Sequence, residues 1–508
     1  MSNKKRDEAP LFERMREHFN KLPASFHVPG HKSGRGADPA AASFFEPLMA
    51  LDYTEISGLD DLHQPEGVIR EAQELAADCF GADETFFLVG GSTVGNLAMI
   101  MSLCGTGDIL LVQRNVHKSV LHGLMLAGAR AVFISPVLGG DSGIPASVRR
   151  SDVEDALNRY PEAKGLLLTN PNYYGMGVNL RPYAELAHSR GIPLLVDEAH
   201  GAHYGFHPEL PESALASGAD AVVQSTHKML SAMTMGAMLH LQGDRMDRER
   251  IRTLLAMLQS SSPSYPILAS LDLARKQMHT RGRELIDQGL AAVKLLHCGI
   301  HSLHGLKVLE PPAAHEAYDS LDPFKITLYD STGTLTGTDL QELLEEAGCY
   351  VEFASGAYVL LLLTIFTSLE DAQRALDVCR SISTRYLIER QELRDTSPNT
   401  MYKPLVFSVS EPVPMSSPLF TNNQEKNESI VLASLSDSTG QRSAEMVIPY
   451  PPGIPLLYPG EIITEEMTNQ LKKLVASGAR FHGSAEVLRG YLKVRQDGPD
   501  EKTANTID

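Results

Sequence analysis

Lys228 sits in the string Ser225-Thr226-His227-Lys228-Met229-Leu230, between hydroxyl-bearing and apolar neighbours. Most lysines are solvated surface groups. One set among hydroxyls and apolar side chains in a strand-end loop is a candidate Schiff-base lysine, able to attack a carbonyl once it sheds its proton. Asp197 lies 31 residues earlier, in Asp197-Glu198-Ala199-His200-Gly201-Ala202-His203. A carboxylate placed directly after a buried strand is costly unless something cationic meets it. Further upstream, Gly90-Gly91-Ser92-Thr93-Val94-Gly95-Asn96 leads into a helical pattern. Its glycines let a backbone approach a ligand, its hydroxyls donate hydrogen bonds, and a helix start attracts anions.

The elements that must position these strings alternate along residues 60–245. Short β-rich apolar runs at 85–89, 109–112, 131–134, 165–169, 192–196, 221–224 and 237–241 are separated by helical patterns, among them 94–103 and 117–128. Gly128 is a stop signal for the second helix. Apolar strands separated by helices imply a mostly parallel sheet covered on both faces. Ligands of such sheets bind beyond the carboxyl ends of the strands. All three strings follow strands, so one edge of one sheet gathers an anion cradle, a buried acid and an amine. Pyridoxal phosphate needs those three: a phosphate site, an acid for its pyridinium nitrogen and an amine for its aldehyde.

Taken singly, each string has a plainer reading. The glycine-rich run matches neither GxGxxG nor GxxxxGK[ST] and serves equally as a structural turn. Asp197 could cap a helix, and His200 with His203 lacks an evident third ligand, so no metal is expected. The letters DEAH also occur in helicases, but the Walker A loop that a helicase needs is absent.

The net charge of −18 disfavours a nucleic-acid partner, because binding a phosphate backbone takes clustered Lys and Arg. It is compatible with cationic small molecules and, more simply, with solubility. The five cysteines form no CxxC pair, which suggests a reducing compartment and no structural zinc. The charged N-terminus lacks the apolar stretch of a signal peptide, and the longest apolar run, 358–366, is far short of a membrane span. The expected location is the cytoplasm, with no membrane partner.

The strings FHVPGHK, GLDDLH, FFLVGGSTVGNLAMI, VQRNVHKS, LTNPNYYG, VDEAHGAH, QSTHKML, SSSPSYPILASLD and IPYPPGIPLLYPGE resemble the fold-type-I Orn/Lys/Arg decarboxylases, in particular their shorter members without an extra N-terminal domain. The resemblance covers residues 20–280 and returns at 445–490. It implies an α/β fold of the aspartate-aminotransferase type, with a pyridoxal-phosphate-binding large domain and a smaller C-terminal α/β domain. It further implies that Lys228 holds the cofactor as an imine and that Asp197 pairs with the pyridinium nitrogen. His117 would stack on the ring and Ala199 would pack against it. Ser92, Thr93 and Ser225 would bind the phosphate, His227 would lie beside phosphate and substrate, and Ser260 would reach a phosphate across a homodimer interface. Glu461 is the candidate for a substrate's distal cation, with His200 also at the substrate. The implied reaction is α-decarboxylation of arginine, lysine or ornithine to agmatine, cadaverine or putrescine, amines of polyamine biosynthesis.

The expected organisation is an N-terminal arm at 1–55, a large domain at 56–280, a small domain at 281–390, divergent loops or a linker at 391–445, and a C-terminal segment at 446–508. Another enzyme of the same fold, such as an aminotransferase or lyase, remains open, since the sequence does not exclude an arginine clamp on the α-carboxylate. A non-enzymatic cofactor-binding regulator would need an appended DNA-binding module, and no basic helix-turn-helix stretch is evident.

Overall fold

The computed structural model describes residues 3–139, 142–311, 318–388, 409–415, 429–450, 455–476 and 479–496. The apolar runs form the central sheet: β1 (Glu84–Leu88), β2 (Ile109–Gln113), β3 (Arg130–Ile134), β4 (Leu166–Thr169), β5 (Leu194–Asp197), β6 (Ala221–Gln224) and β7 (Ala237–Leu241). Their order is β1-β7-β6-β5-β4-β2-β3, with Val413–Pro414 added beyond β3. Strands β3, β2, β4, β5 and β6 pair in parallel, and β7 runs antiparallel to both of its neighbours. The carboxyl ends of β1 to β6 therefore share one edge.

Strand residues alternate between two apolar layers, as the pleat requires. Leu194 and Val196 enter one core cluster and Leu195 the other. Helix Gly91–Leu103 lies close on the sheet at Gly95, where a Cβ would come within 2.5 Å of Val223 and 3.0 Å of Leu88. That approach sets the height of the helix N-terminus over the strand ends.

Residues 280 and 281, the expected domain boundary, lie inside one unbroken helix, Tyr265–His301. Its 37 residues span about 55 Å. Leu268, Leu271, Leu290 and Leu296 along its length all belong to a single core cluster, so burial gives no break there. Beyond it, Leu306–Val308, Lys325–Asp330, Tyr358–Leu362 and Phe353–Ser355 form a four-stranded antiparallel sheet. Helix Pro10–Asn20 of the N-terminal arm is tied down by the burial of Leu11 and Met15 and by Leu11 N–H donating to Asp272 at 3.1 Å. Among the described residues, no helix is long and apolar enough to cross a membrane.

The expectation of a linker through residue 445 needs correction. Ser429–Ser434 pairs with Tyr491–Gln496 along its whole length, and Arg442–Ser443 pairs with the same strand. Together with helix Glu465–Ala476 these strands bury Leu435, Val447, Leu457, Leu471 and Val494. The edge strand leaves Ile430 and Leu432 largely exposed, and its polar flanks hide it in the sequence.

This C-terminal unit docks on the large domain through Arg114, just after β2. Arg114 makes a bidentate pair with Glu461 at 2.8 and 2.9 Å and donates to the Leu456 carbonyl at 2.9 Å. Tyr458 stacks on Phe133 at 4.1 Å and donates to the Arg114 carbonyl at 2.8 Å. Both partners of the ion pair are buried, so breaking it leaves an uncompensated charge. Glu461→Ala should therefore cost about 3–5 kcal/mol of stability. Denaturant unfolding of the variant checks this, and an unchanged midpoint would show that the pair does not hold the unit in place.

Candidate active site

Asp197 ends β5 and is almost completely buried. Its Oδ2 accepts from Asn96 Nδ2 at 2.9 Å, and its Oδ1 accepts from the Ala199 N–H at 3.1 Å. Among the described residues no cationic side chain makes an ion pair with it. Asn96 comes from helix Gly91–Leu103 and also donates to Ser119 Oγ at 2.9 Å. Ser119 in turn lies 2.8 Å from His117 Nδ1. His117 caps helix Lys118–Ala127, its Nδ1 accepting from the Ser119 N–H. The cap takes Nδ1, and among the described residues no hydrogen bond is made by Nε2. Burial holds the His117 pKa below the usual imidazole value, partly offset by the Asp197 charge.

Glu198, next to Asp197, is fully buried. Burial raises its pKa to about 8, and it accepts from Gln224 at 2.7 Å and the Ala214 N–H at 2.8 Å. Gln224 continues through His240 to Thr85, so a line of buried hydrogen bonds crosses β6, β7 and β1.

Lys228 follows β6 in the short helix Thr226–Met229. Its Nζ lies 3.0 Å from His200 Nε2 and 5.8 Å from the centre of the Tyr173 ring. Burial lowers its pKa, while Asp197 and Glu352 pull the other way. The neutral amine needed for attack on an aldehyde is thereby more abundant than on a surface lysine. His200 Nδ1 lies 3.2 Å from Lys325 Nζ, so one imidazole bridges two lysines. Lys325 is buried at the start of the small-domain strand Lys325–Asp330, and burial pushes its pKa down to about 8. His203 pairs with Asp322 at 3.1 Å, both fully buried, which fastens the loop after β5 to the same small-domain turn. His200 and His203 thus have separate partners.

Ser225 and Ser92 meet at 2.8 Å, Oγ to Oγ, with Ser92 and Thr93 in the first turn of helix Gly91–Leu103. Gly91 has φ +74, and the position of a Cβ there is open space. Two converging hydroxyls at a helix N-terminus can hold a phosphate. His227 points elsewhere, with Nδ1 on the Gly236 carbonyl at 2.9 Å. Ser260 is exposed, and its carbonyl accepts from His63 at 2.8 Å. It makes no contact with the Ser92–Ser225 pair of its own chain.

Glu461 needs a correction. Both carboxylate oxygens are taken by Arg114, and Oε2 also accepts from the Tyr458 N–H at 3.0 Å. These bonds fill three of about four acceptor positions and Arg114 already balances the charge, so the carboxylate serves the docking contact. Residues that sequence reasoning did not assign now join the site. Asn96 and Tyr173 lay inside strings already quoted, but Lys325 and Glu352 arrive from the small domain and leave no local pattern.

The residues fit pyridoxal phosphate: a buried carboxylate without an ion-pair partner among the described residues, a depressed lysine beside it and paired hydroxyls at a helix start. The Orn/Lys/Arg decarboxylase major-domain model matches residues 9–371, and the C-terminal-domain model of the same family matches 401–508. The chain belongs to the Orn/Lys/Arg decarboxylase family. An arginine decarboxylase of Bacillus subtilis is 36% identical over 494 residues, covering 96% of this chain and 98% of the relative. An arginine decarboxylase of Halalkalibacterium halodurans is 37% identical with the same coverage. An uncharacterized protein of Bacillus subtilis is 41% identical over 489 residues, covering 96% and 98%. Among solved structures, lysine decarboxylase A from Pseudomonas aeruginosa aligns with TM-score 0.74 at 22% identity, over 96% of this chain and 80% of that one. Serine palmitoyltransferase of Sphingomonas wittichii aligns at 0.51 and 18% identity, over 70% and 84%. The fold is that of the fold-type-I pyridoxal-phosphate enzymes, and this family member is a pyridoxal-phosphate-dependent amino-acid decarboxylase.

The depressed Lys325 makes stability depend on pH. Between about 8 and an unfolded value near 10.4, the unfolded chain binds a proton at this lysine that the folded chain does not. Folding stability therefore rises with pH across that window, and below it the cost of charging Lys325 in the core is fully present. Lys325→Met should remove this slope, worth up to ~3 kcal/mol. Unfolding of both proteins at pH 7.5 to 10 measures it, and parallel curves would contradict a depressed Lys325.

Proposed function

We propose that this decarboxylase acts on arginine, releasing CO2 and agmatine. The observation that carries the substrate is a difference between relatives. Arginine decarboxylases align at 35–37% identity, whereas the lysine decarboxylases among the relatives align at 26–29%.

Bound pyridoxal phosphate supplies an electron sink for the pair left on the α-carbon as CO2 departs. Lys228 would anchor it at the aldehyde, and Asp197 would keep its ring nitrogen protonated. Ser92, Thr93 and Ser225 would hold the phosphate, with His117 and Ala199 against the ring. Asn96 orients the Asp197 carboxylate and, through Ser119, the His117 ring. His200 touches Lys228 Nζ through one ring nitrogen and Lys325 Nζ through the other, so its neutral ring accepts from one lysine and donates to the other as a free amine. His227 stands beside Lys228 with its Nδ1 fixed by Gly236.

For the distal cation the site offers Glu352 in place of Glu461. It is exposed, and its charge acts on Lys228, Lys325 and Tyr173. Its neighbour Phe353 sets its ring edge against Tyr173 and Tyr174. A carboxylate so placed, and without an ion-pair partner among the described residues, suits a guanidinium.

A second copy of the chain would complete the site through Ser260. What supports this is the apolar surface of the arm, where Leu22, Phe26 and Phe44 are each more than 80% exposed. The cytoplasm remains the proposed location.

Amine and CO2 release should be measured with arginine, lysine and ornithine. Arginine is expected to give the highest kcat/KM. A higher value for lysine or ornithine would overturn the substrate, and no CO2 from any of them would overturn basic amino acids as the substrate class. Glu352→Gln should raise KM for arginine about tenfold or more, as loss of a charge-assisted contact implies. An equal loss on an uncharged analogue of similar length would make Glu352 structural.

A further inference from the structure

His297 and His301 lie one turn apart in the last two turns of helix Tyr265–His301. Residues four apart share a helix face. Glu310 comes up against that face from the segment after the edge strand Leu306–Val308. Its Oε1 lies 3.2 Å from His297 Nε2 and 3.0 Å from His301 Nε2. Both imidazoles converge on a single carboxylate oxygen, and the three ligand atoms all lie within 4.8 Å of one another.

His301 has a second contact that orients its ring: Nδ1 lies 3.1 Å from the His297 carbonyl, and Nε2 faces Glu310 Oε1 at 3.0 Å. Metal-bound histidines show this same arrangement, with the second ring nitrogen donating to a backbone carbonyl or carboxylate.

The spacing fits as well. With metal–ligand bonds of about 2.0–2.1 Å, the ligand atoms of a tetrahedral zinc site stand about 3.3 Å apart. The two histidine–glutamate separations are within a few tenths of an ångström of that edge. Imidazole ligands favour zinc and its first-row neighbours over calcium or magnesium. All three side chains are partly open to solvent, which leaves room for water as a further ligand.

We propose that His297, His301 and Glu310 bind one zinc-type divalent transition metal ion. The ion clips the end of the long helix to the edge of the small-domain sheet. The site shares no residue with the Lys228 cluster and takes no part in decarboxylation.

The test uses chelator-treated holoenzyme titrated with Zn2+ against a chromophoric competitor. Wild type should bind one equivalent per chain. His297→Ala, His301→Ala and Glu310→Gln should each weaken binding at least ~tenfold, since even outer-shell changes cost 10–100-fold. His122→Ala, which removes an exposed histidine elsewhere, should leave affinity unchanged. The double variant His297→Ala/His301→Ala should lose the equivalent while retaining cofactor absorbance and amine production, which also shows that it folds. Zn2+ should raise the melting temperature of wild type and not of the double variant. Equal affinity in wild type and double variant would overturn the proposal, as would an equivalent of Ca2+ bound as tightly as Zn2+.

Discussion

The site depends on one electrostatic constraint, a carboxylate at the end of β5 buried without a cationic partner among the described residues. Burying an ionised carboxylate is unfavourable unless hydrogen bonds or a countercharge compensate. Asn96 and the Ala199 N–H supply hydrogen bonds, but the described residues supply no ion pair. Lys228 is held near enough to feel the charge, yet its Nζ rests on His200. A cationic pyridinium ring would give Asp197 its countercharge. Burial also raises the pKa of the neighbouring Glu198 carboxyl, which disfavours a second charge there.

Much of the surrounding structure keeps these groups in place. Gly95 lets the cradle helix sit close on β6 and β1, which brings Ser92 onto Ser225 and Asn96 onto Asp197. The His203–Asp322 pair binds the loop after β5 to the small domain and so delivers Lys325 to His200. The C-terminal unit is joined at Arg114, three residues before His117, through the pair that occupies Glu461. The position that a sequence motif suggests for substrate thus serves to attach a folded unit beside the site.

What was legible in the sequence followed local rules. The parallel sheet could be read because each strand is apolar on both faces, and β6 and β7 coincide with the runs 221–224 and 237–241. Lys228, Asp197 and the Ser92 turn could be located because strand ends mark ligand edges. The partnership of Lys325, Asp322 and Glu352 with that edge was not legible, because it arises from docking of a second sheet more than a hundred residues away. The edge strand Ser429–Ser434 was missed because its pattern is weak and half of its apolar side chains face solvent. The helix pattern near residue 285 could be read, but its continuity back to Tyr265 could not, since a single core runs past the expected boundary.

Lys228, beside Asp197, is the proposed point of covalent cofactor attachment. Borohydride reduction of the holoenzyme fixes the cofactor to its lysine, and peptide mapping then locates it. The label should appear on the peptide containing Lys228, and Lys228→Ala should take up none. A label on Lys325, or on any other lysine of the wild-type protein, would contradict the account.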